Sequence, residues 1–230
     1  MIDIHSHLLP FVDDGSNNEE TSLLRLLEAE KRGVTDVILT PHYKTGYNQT
    51  PEELKEIFSR FNDKKNARNI NINLYLGNEI YYKKSTRKTL KENEVLTLNG
   101  TKYVLVEFEY FKPTDVTEVI YGLLLDGYIP IVAHIERYAY VSNADIMEIK
   151  SMGGLVQVNA GSIVGDCKRR LKRRVKKLFK LSLVDFVASD EHAFRNNYLS
   201  LAKDFITKKF GKEVADKVFV ENAKKIVGQA

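Results

Sequence analysis

The sequence contains one cysteine, no tryptophan and no long apolar run. Cys167 is the only cysteine among 230 residues. No disulfide can therefore form within the chain, as is usual for proteins of a reducing cytoplasm. No apolar stretch approaches the ~20 residues that a membrane-spanning helix needs. The first residues also lack the basic and apolar segments of a secretory signal. These absences predict a cytoplasmic protein without a transmembrane segment.

A broadly basic composition is also missing. The formal net charge is +4, but residues 168–180 alone contain nine Lys or Arg and no acid. Elsewhere 26 basic residues stand against 31 acidic ones, a net charge of −5. We therefore expect no nucleic-acid partner. Within 168–180, apolar residues recur at helical spacing. This pattern favours an amphipathic helix whose basic residues form its solvated face. Docking of an acidic partner or an anionic membrane surface is the alternative.

Short apolar segments alternate with helical patterns along the whole chain. The predicted strands are Ile2–His5, Asp36–Thr40, Ile72–Leu76, Tyr103–Glu107, Ile129–Ala133, Leu155–Asn159 and Asp185–Ser189. Helices are predicted at Asn17–Arg32, after the capping box Thr50-Pro51-Glu52-Glu53, after a cap at Thr114, at Asn143–Met152, and at 165–180, 199–209 and 213–227. This alternation predicts one α/β domain over residues 1–230, either a βα-barrel or a doubly wound parallel sheet.

Side chains able to bind metal ions lie at or soon after the carboxyl ends of these strands. They include all five histidines and four acids: His5, His7, His42, His134, His192, Asp14, Glu79, Glu107 and Asp190. In a βα-barrel these strand ends converge on one face, where active sites lie. Because imidazole and carboxylate bind divalent cations, the pattern predicts a metal site. A lone His-x-His would equally fit a polar strand end and turn.

Residue alternation in the first strand gives a further expectation. Side chains in a strand alternate faces, so Asp3, His5 and His7 should lie on the same side. We expect Asp3 to orient an imidazole rather than to bind a metal itself.

Five motifs carry a family resemblance. IDIHSH, TPH, GNE, AHIER and SDEH resemble, in order and spacing, the polymerase and histidinol phosphatase (PHP) superfamily of metal-dependent phosphoesterases. The segments IDIHSHLLPFVDDGS, VILTPHY and IVAHIERY are similar to one branch, the manganese-dependent protein-tyrosine phosphatases of Gram-positive capsule and exopolysaccharide clusters. The resemblance runs from Met1 to about Arg195. It implies a single PHP phosphoesterase domain folded as a distorted TIM-like (β/α)7 barrel.

The resemblance also implies three metal positions. They would be formed by His5, His7, Glu79 and Asp190, by Glu79, Glu107 and His134, and by Asp14, His42 and His192. Arg137 and Arg195 match arginines that contact the phosphate, although the residues around His192 depart from the family pattern. Spacing alone leaves Asp13 open as an alternative to Asp14. The family implies manganese, whereas mixed histidine and carboxylate ligation also suits iron or zinc.

The implied activity is hydrolysis of phosphotyrosine by a hydroxide that bridges two metals, with arginine neutralising the phosphoryl oxygens. By family analogy, the substrate is the tyrosine-rich tail of a membrane-associated autokinase that controls capsule assembly. One alternative substrate is histidinol phosphate or another small phosphomonoester. A further alternative is a non-catalytic, metal-stabilised module that acts as a kinase partner.

Cys167 and Arg173 fit the Cys-x5-Arg pattern of cysteine-based tyrosine phosphatases. In that mechanism a glycine-containing loop wraps the phosphate with backbone N–H groups. The intervening KRRLK has no glycine and predicts a charged helix. We therefore do not expect a cysteine nucleophile.

Overall fold

A computed structural model describes residues 1–229 as parallel strands alternating with helices. Ala230, the last residue of the predicted domain, lies outside the described residues. The strands are β1 (Ile2–Ser6), β2 (Asp36–Leu39), β3 (His42–Tyr43), β4 (Asn73–Leu76), β5 (Glu79–Tyr81), β6 (Tyr103–Glu107), β7 (Ile129–Val132), β8 (Leu155–Asn159) and β9 (Phe186–Ala188). All seven predicted strands are confirmed. The apolar runs identified them because near-continuous apolar sequence is typical of strands covered on both faces.

Two short strands, β3 and β5, escaped prediction. β3 follows β2 after Thr40 and Pro41, and β5 follows β4 after Gly77 and Asn78. Proline cannot donate a ladder hydrogen bond and therefore interrupts the first path. A Cβ atom at Gly77 would lie 3.0 Å from Cα of Leu98, so the second path needs glycine at this close approach.

The strands form two parallel sheets with the orders β1-β2-β4 and β3-β5-β6-β7-β8-β9. β1 also lies beside the end of the second sheet. The amide of His7 donates to the carbonyl of Glu191 at 2.8 Å, and the amide of Asp190 donates to the carbonyl of His5 at 3.0 Å. The result is a curled parallel sheet, so the predicted α/β class with parallel strands is confirmed.

The helices surround this sheet. They are α1 (Glu19–Lys31), α2 (Pro51–Ala67), α3 (Thr86–Lys91), α4 (Val116–Leu125), α5 (Asn143–Met152), α6 (Ala160–Val164), α7 (Arg169–Lys180), α8 (Leu199–Phe210), α9 (Lys212–Asp216) and α10 (Asn222–Val227), with a π-helical turn at Lys217–Glu221 joining the last two. The capping box at Thr50 is confirmed. The predicted cap at Thr114 is wrong, because the side chain of Asp115 accepts the hydrogen bond from the amide of Glu118 at 3.0 Å. No helix within residues 1–229 is long and apolar enough to cross a membrane.

Alternate strand residues build two apolar layers. The layer inside the curled sheet contains Ile4, Ile38, Leu105, Ile131 and Phe186, together with Ala223 and Ile226 of α10. The opposite side chains, such as Val104 and Val106, join the larger core that includes helix residues. With both faces covered, most of the predicted ligands lie at or soon after the carboxyl ends of strands, whereas His42 and Glu79 begin the short strands β3 and β5.

Candidate metal centre

The strand ends bring together all nine side chains predicted as metal ligands. Glu79, at the start of β5, lies at their centre and is 1% exposed. Its Oε1 lies 2.8 Å from Nε2 of His134 and 3.4 Å from Nε2 of His5. Its Oε2 lies 2.9 Å from Nδ1 of His42 and 3.3 Å from Nε2 of His7. One carboxylate therefore contacts four of the five imidazoles.

The Nε2 atoms of His5 and His7 face each other. Nδ1 of His7 lies 2.7 Å from the carboxylate of Asp13, and Nδ1 of His5 lies 3.3 Å from Oε1 of Gln157. Both partners accept hydrogen bonds, so in neutral rings each Nδ1 carries the proton and each Nε2 keeps its lone pair. These Nε2 atoms are 3.1 Å apart and lie 3.7 and 3.6 Å from Oδ1 of Asp190. Such a group of electron-pair donors favours a bound cation.

Glu107 and Asp14 complete the carboxylates of the site. The Glu107 oxygens lie 3.7 Å from Nε2 of His134 and 3.7 Å from Nδ1 of His42. Oδ1 of Asp14 lies 3.4 Å from Nε2 of His42 and 4.0 Å from Nε2 of His192. Asp14 has a half-exposed side chain, so this edge of the site faces the solvent.

The loop after β1 gives Asp13 and Asp14 different surroundings. Besides contacting His7, the Asp13 carboxylate accepts hydrogen bonds from the amides of His42 at 3.0 Å and Gly15 at 2.8 Å. A Cβ atom at Gly15 would lie 2.1 Å from the carbonyl oxygen of His7, so this tight loop requires glycine. The Asp13 carboxylate is therefore used in hydrogen bonds to the His7 ring and to the loop, whereas the Asp14 side chain extends toward His42.

The expectation for Asp3 is wrong. Its carboxylate accepts hydrogen bonds from the amide of Ser189 at 3.0 Å and the hydroxyl of Ser189 at 2.5 Å, and no imidazole nitrogen of the described residues contacts it. The β1–β2 register shifts between Asp3 and Ser6. A bulge of this kind breaks the alternation of faces, so Asp3 and His5 lie on different sides. Gln157 contacts the His5 ring instead.

Two site residues have unusual backbone conformations. His134 follows β7 with φ 32° and ψ 53°, and Asp190 follows β9 with φ 51°. Residues other than glycine rarely adopt this left-handed region. Strained residues of this kind cost roughly 1–3 kcal/mol each and cluster at active and ligand sites. Both strands therefore end in turns that aim a polar side chain into the site.

Arg137 and Arg195 both approach the cluster. Arg137 donates through Nη2 to Oδ2 of Asp190 at 2.8 Å and through Nη1 to the hydroxyl of Tyr110 at 3.0 Å. The same hydroxyl donates to Oε1 of Glu107 at 2.7 Å. Arg195 is held more loosely, with Nη1 at 3.5 Å from Oδ2 of Asp190 and a side chain that is 45% exposed. The sequence did not predict Tyr110, which lies in a loop with no periodic pattern.

Further unpredicted polar residues support the ligands from behind. Asn159 donates to Oδ2 of Asp190 at 2.7 Å, and Gln157 accepts from the amide of His134 at 2.7 Å. The hydroxyl of Tyr138 lies 3.1 Å from Nδ1 of His134. Gln157 and Asn159 alternate in the otherwise apolar β8, and this period-two polar pattern is the signal that would have identified them.

Charge pairing keeps the central carboxylates ionised. Burial raises the pKa of Glu79, but the neighbouring His5 and the other imidazoles outweigh it and hold that pKa well below its usual range. Burial likewise opposes ionisation of Asp190, yet Arg137 and the imidazoles lower its pKa. Burial lowers the pKa of His192 to about 4, which leaves its ring neutral at physiological pH. Neutral imidazole and ionised carboxylate are the forms that bind metals.

The donor set fits divalent ions. Four groups each place three ligand atoms within 4.8 Å of one another: His7, His42 and His192; His5, His7 and Asp190; His5, Glu79 and His134; and His42, Glu79 and Glu107. Ligands bound at ~2.0–2.2 Å lie roughly 3.0–3.6 Å from each other, close to the spacings of this cluster. Nδ1 of His42 and Oε2 of Glu79 lie 2.9 Å apart without hydrogen-bond geometry, and both atoms are buried with no other hydrogen-bond partner in the described residues. Uncompensated burial of such atoms is costly unless an ion binds them.

Parallel strands that end in a buried cluster of imidazoles and carboxylates define an α/β protein with a site suited to divalent metals. A family model described as "Capsular polysaccharide synthesis, CpsB/CapC" matches residues 1–228. The chain therefore belongs to the CpsB/CapC family.

Relatives match the chain over nearly its full length. The tyrosine-protein phosphatase CpsB of Streptococcus agalactiae is 36% identical over 240 residues, covering 99% of this chain and 98% of that protein. The tyrosine-protein phosphatase YwqE of Bacillus subtilis is 33% identical over 225 residues, covering 93% and 87%.

Solved structures agree with this assignment. A structure from work on YwqE of Bacillus subtilis and CpsB of Streptococcus pneumoniae, described as unique metal-dependent tyrosine phosphatases, has a TM-score of 0.93 at 30% identity and covers 100% of this chain and 96% of that chain. The phosphotriesterase of Mycobacterium tuberculosis has a TM-score of 0.62 at 11% identity, covering 99% and 94%, which shows a similar fold alone.

Proposed function

We propose that this chain is a metal-dependent protein-tyrosine phosphatase. The observation that carries the proposal is the buried cluster around Glu79, with two arginines at its edge. The names of the full-length relatives support the same activity. A cluster of imidazoles and ionised carboxylates next to guanidinium groups suits metal-assisted hydrolysis of a phosphate ester.

The proposed ligands divide into three sets within one site, and Glu79 belongs to the first two. They are His5, His7, Glu79 and Asp190; Glu79, Glu107 and His134; and Asp14, His42 and His192. Asp14 is preferred to Asp13 because Asp13 is already bound to His7 and to two backbone amides. Divalent ions bound there would polarise phosphoryl oxygens and lower the pKa of water toward ~7.

The protein's own groups bind and orient the phosphate. Arg137 and Arg195 extend to the cluster, where planar guanidinium groups pair with phosphoryl oxygens. The Tyr110 hydroxyl holds Arg137 beside Glu107 and so limits the orientations available to its side chain. A tyrosine leaving group has a pKa near ~10, so the site needs no dedicated acid to expel it.

We further infer that one PHP phosphoesterase domain forms a distorted (β/α)7 barrel. β2 with β3, and β4 with β5, would each count as one interrupted strand. The hydrogen bonds that join the segment after β9 to His5 and His7 support closure of such a barrel. The substrate would be the tyrosine-rich tail of a membrane-associated autokinase of capsule assembly, and the enzyme would act in the cytoplasm.

Manganese is the proposed metal, with iron and zinc as alternatives. The purified protein is expected to lose phosphatase activity on chelation and to regain it with Mn²⁺. Phosphate release from a phosphotyrosyl peptide should then exceed release from histidinol phosphate at equal concentration. Faster turnover of histidinol phosphate would assign the site to a small metabolite. A metal-loaded protein that is inert toward both compounds would support the non-catalytic module.

Replacing Cys167 with serine is expected to leave phosphotyrosyl-peptide turnover within about twofold of the parent chain. Cys167 precedes α7, and Arg173 lies within that helix, as the charged sequence predicted. Burial raises the pKa of the Cys167 thiol, whereas a cysteine nucleophile requires a lowered one. Steady-state kinetics with Mn²⁺ present measure the effect. A loss of a hundredfold or more would contradict the metal-dependent mechanism.

A further inference from the structure

A groove of about 790 Å³ begins at the two arginines of the proposed phosphate site. Arg137 and Arg195 form part of its wall, so the groove and the site are continuous. Phe111, Ala139 and Leu171 give the groove an apolar lining. Phe111 is 94% exposed, which is unusual for a large aromatic side chain without a partner. The volume falls in the range of cavities that enclose small ligands, so a short peptide segment fits along the groove.

The amino-terminal end of α7 makes this groove basic. Lys168 and Arg170 line it and are exposed, and no acidic side chain of residues 1–229 lines it with them. Arg137 and Arg195 are paired with Asp190, whereas neither Lys168 nor Arg170 forms an ion pair within the described chain. Two cations beside an apolar surface are therefore available to an acidic ligand.

We infer that this groove binds the polypeptide segment next to the phosphotyrosine and selects acidic side chains in that segment. The inference rests on the proposed phosphatase function and names the substrate feature that the site prefers. Clusters of basic residues recognise acidic motifs by charge pairing. The position of Lys168 and Arg170 favours a peptide over a membrane surface, because both line a groove that leads into the site.

The test compares three substrates with the Mn²⁺-loaded protein. Two phosphotyrosyl peptides differ only in the flanking residues, which are Asp and Glu in one and Asn and Gln in the other, and the third substrate is p-nitrophenyl phosphate. We expect kcat/KM to be about tenfold higher for the acidic peptide, since two exposed ion pairs of modest strength add to binding. Equal kcat/KM for the two peptides would overturn the inference. If neither peptide is turned over, the proposed phosphatase function is rejected instead.

Charge reversal then tests the two residues. The double variant Lys168→Glu/Arg170→Glu should lose the preference for the acidic peptide and keep its activity on p-nitrophenyl phosphate. Acidic residues near a helix N-terminus are compatible with folding. The matched control, Lys176→Glu/Lys177→Glu, changes the net charge by the same amount at two exposed positions of α7 outside the groove lining. It should keep the preference.

Two outcomes would contradict the assignment. If both double variants lose the preference for the acidic peptide equally, the selectivity depends on overall charge rather than on the groove. Unchanged peptide preference in Lys168→Glu/Arg170→Glu, with loss of its binding to vesicles containing phosphatidylglycerol, would assign the two cations to an anionic membrane instead.

Discussion

Glu79→Gln is expected to lower kcat on a phosphotyrosyl peptide by on the order of a thousandfold, since metal assistance contributes several kcal/mol. Glutamine keeps the size of the side chain but removes the negative charge that faces four imidazoles. It also exchanges one acceptor oxygen for an N–H group that cannot bind a metal. The variant should therefore contain less manganese after purification, measured by elemental analysis alongside steady-state kinetics.

Glu109→Gln is the matched control for this change. Glu109 accepts a hydrogen bond from the hydroxyl of Tyr81 at 2.5 Å and lies near the site, but it belongs to none of the proposed ligand sets. Its variant should retain metal content and remain within about threefold of the parent kcat, as expected for a partly exposed position. Full activity of Glu79→Gln with a normal metal content would remove Glu79 from the proposed centre.

The sequence was most informative where local pattern and fold agree. Apolar runs such as Tyr103–Glu107 and Leu155–Asn159 have the bounds of β6 and β8. A strand that is buried on both faces tolerates few polar residues until it ends, so the histidines themselves mark the strand ends. This is why the side chains of His5, His134 and His192, far apart in sequence, were predicted to lie together, and the structure brings them to one site.

The remaining features depend on tertiary contacts. The bulge in β1 separates Asp3 from His5, and no residue type in IDIHS marks a register shift. Gln157 contacts His5 from a strand 152 residues away, a pairing set by the order of strands. The predicted helix cap was one residue too early, because Thr114 and Asp115 are both residue types that accept a hydrogen bond from a helix amide. The cap in the structure is Asp115.

Arg137→Lys is expected to lower kcat/KM for the phosphotyrosyl peptide by about a hundredfold, the scale seen when one donor to a developing oxyanion is lost. Lysine retains the positive charge but cannot contact both the Tyr110 hydroxyl and Asp190 through a planar fork, as Arg137 does. Arg195→Lys should cost about tenfold, because a partly exposed side chain held by one long contact is less well positioned. Metal content should stay at the parent level in both variants, because neither arginine belongs to a proposed ligand set. Equal losses in the two variants would show that the contacts of Arg137 do not position it for phosphate. Loss of manganese from Arg137→Lys would instead mean that this side chain acts through Asp190 rather than on the substrate.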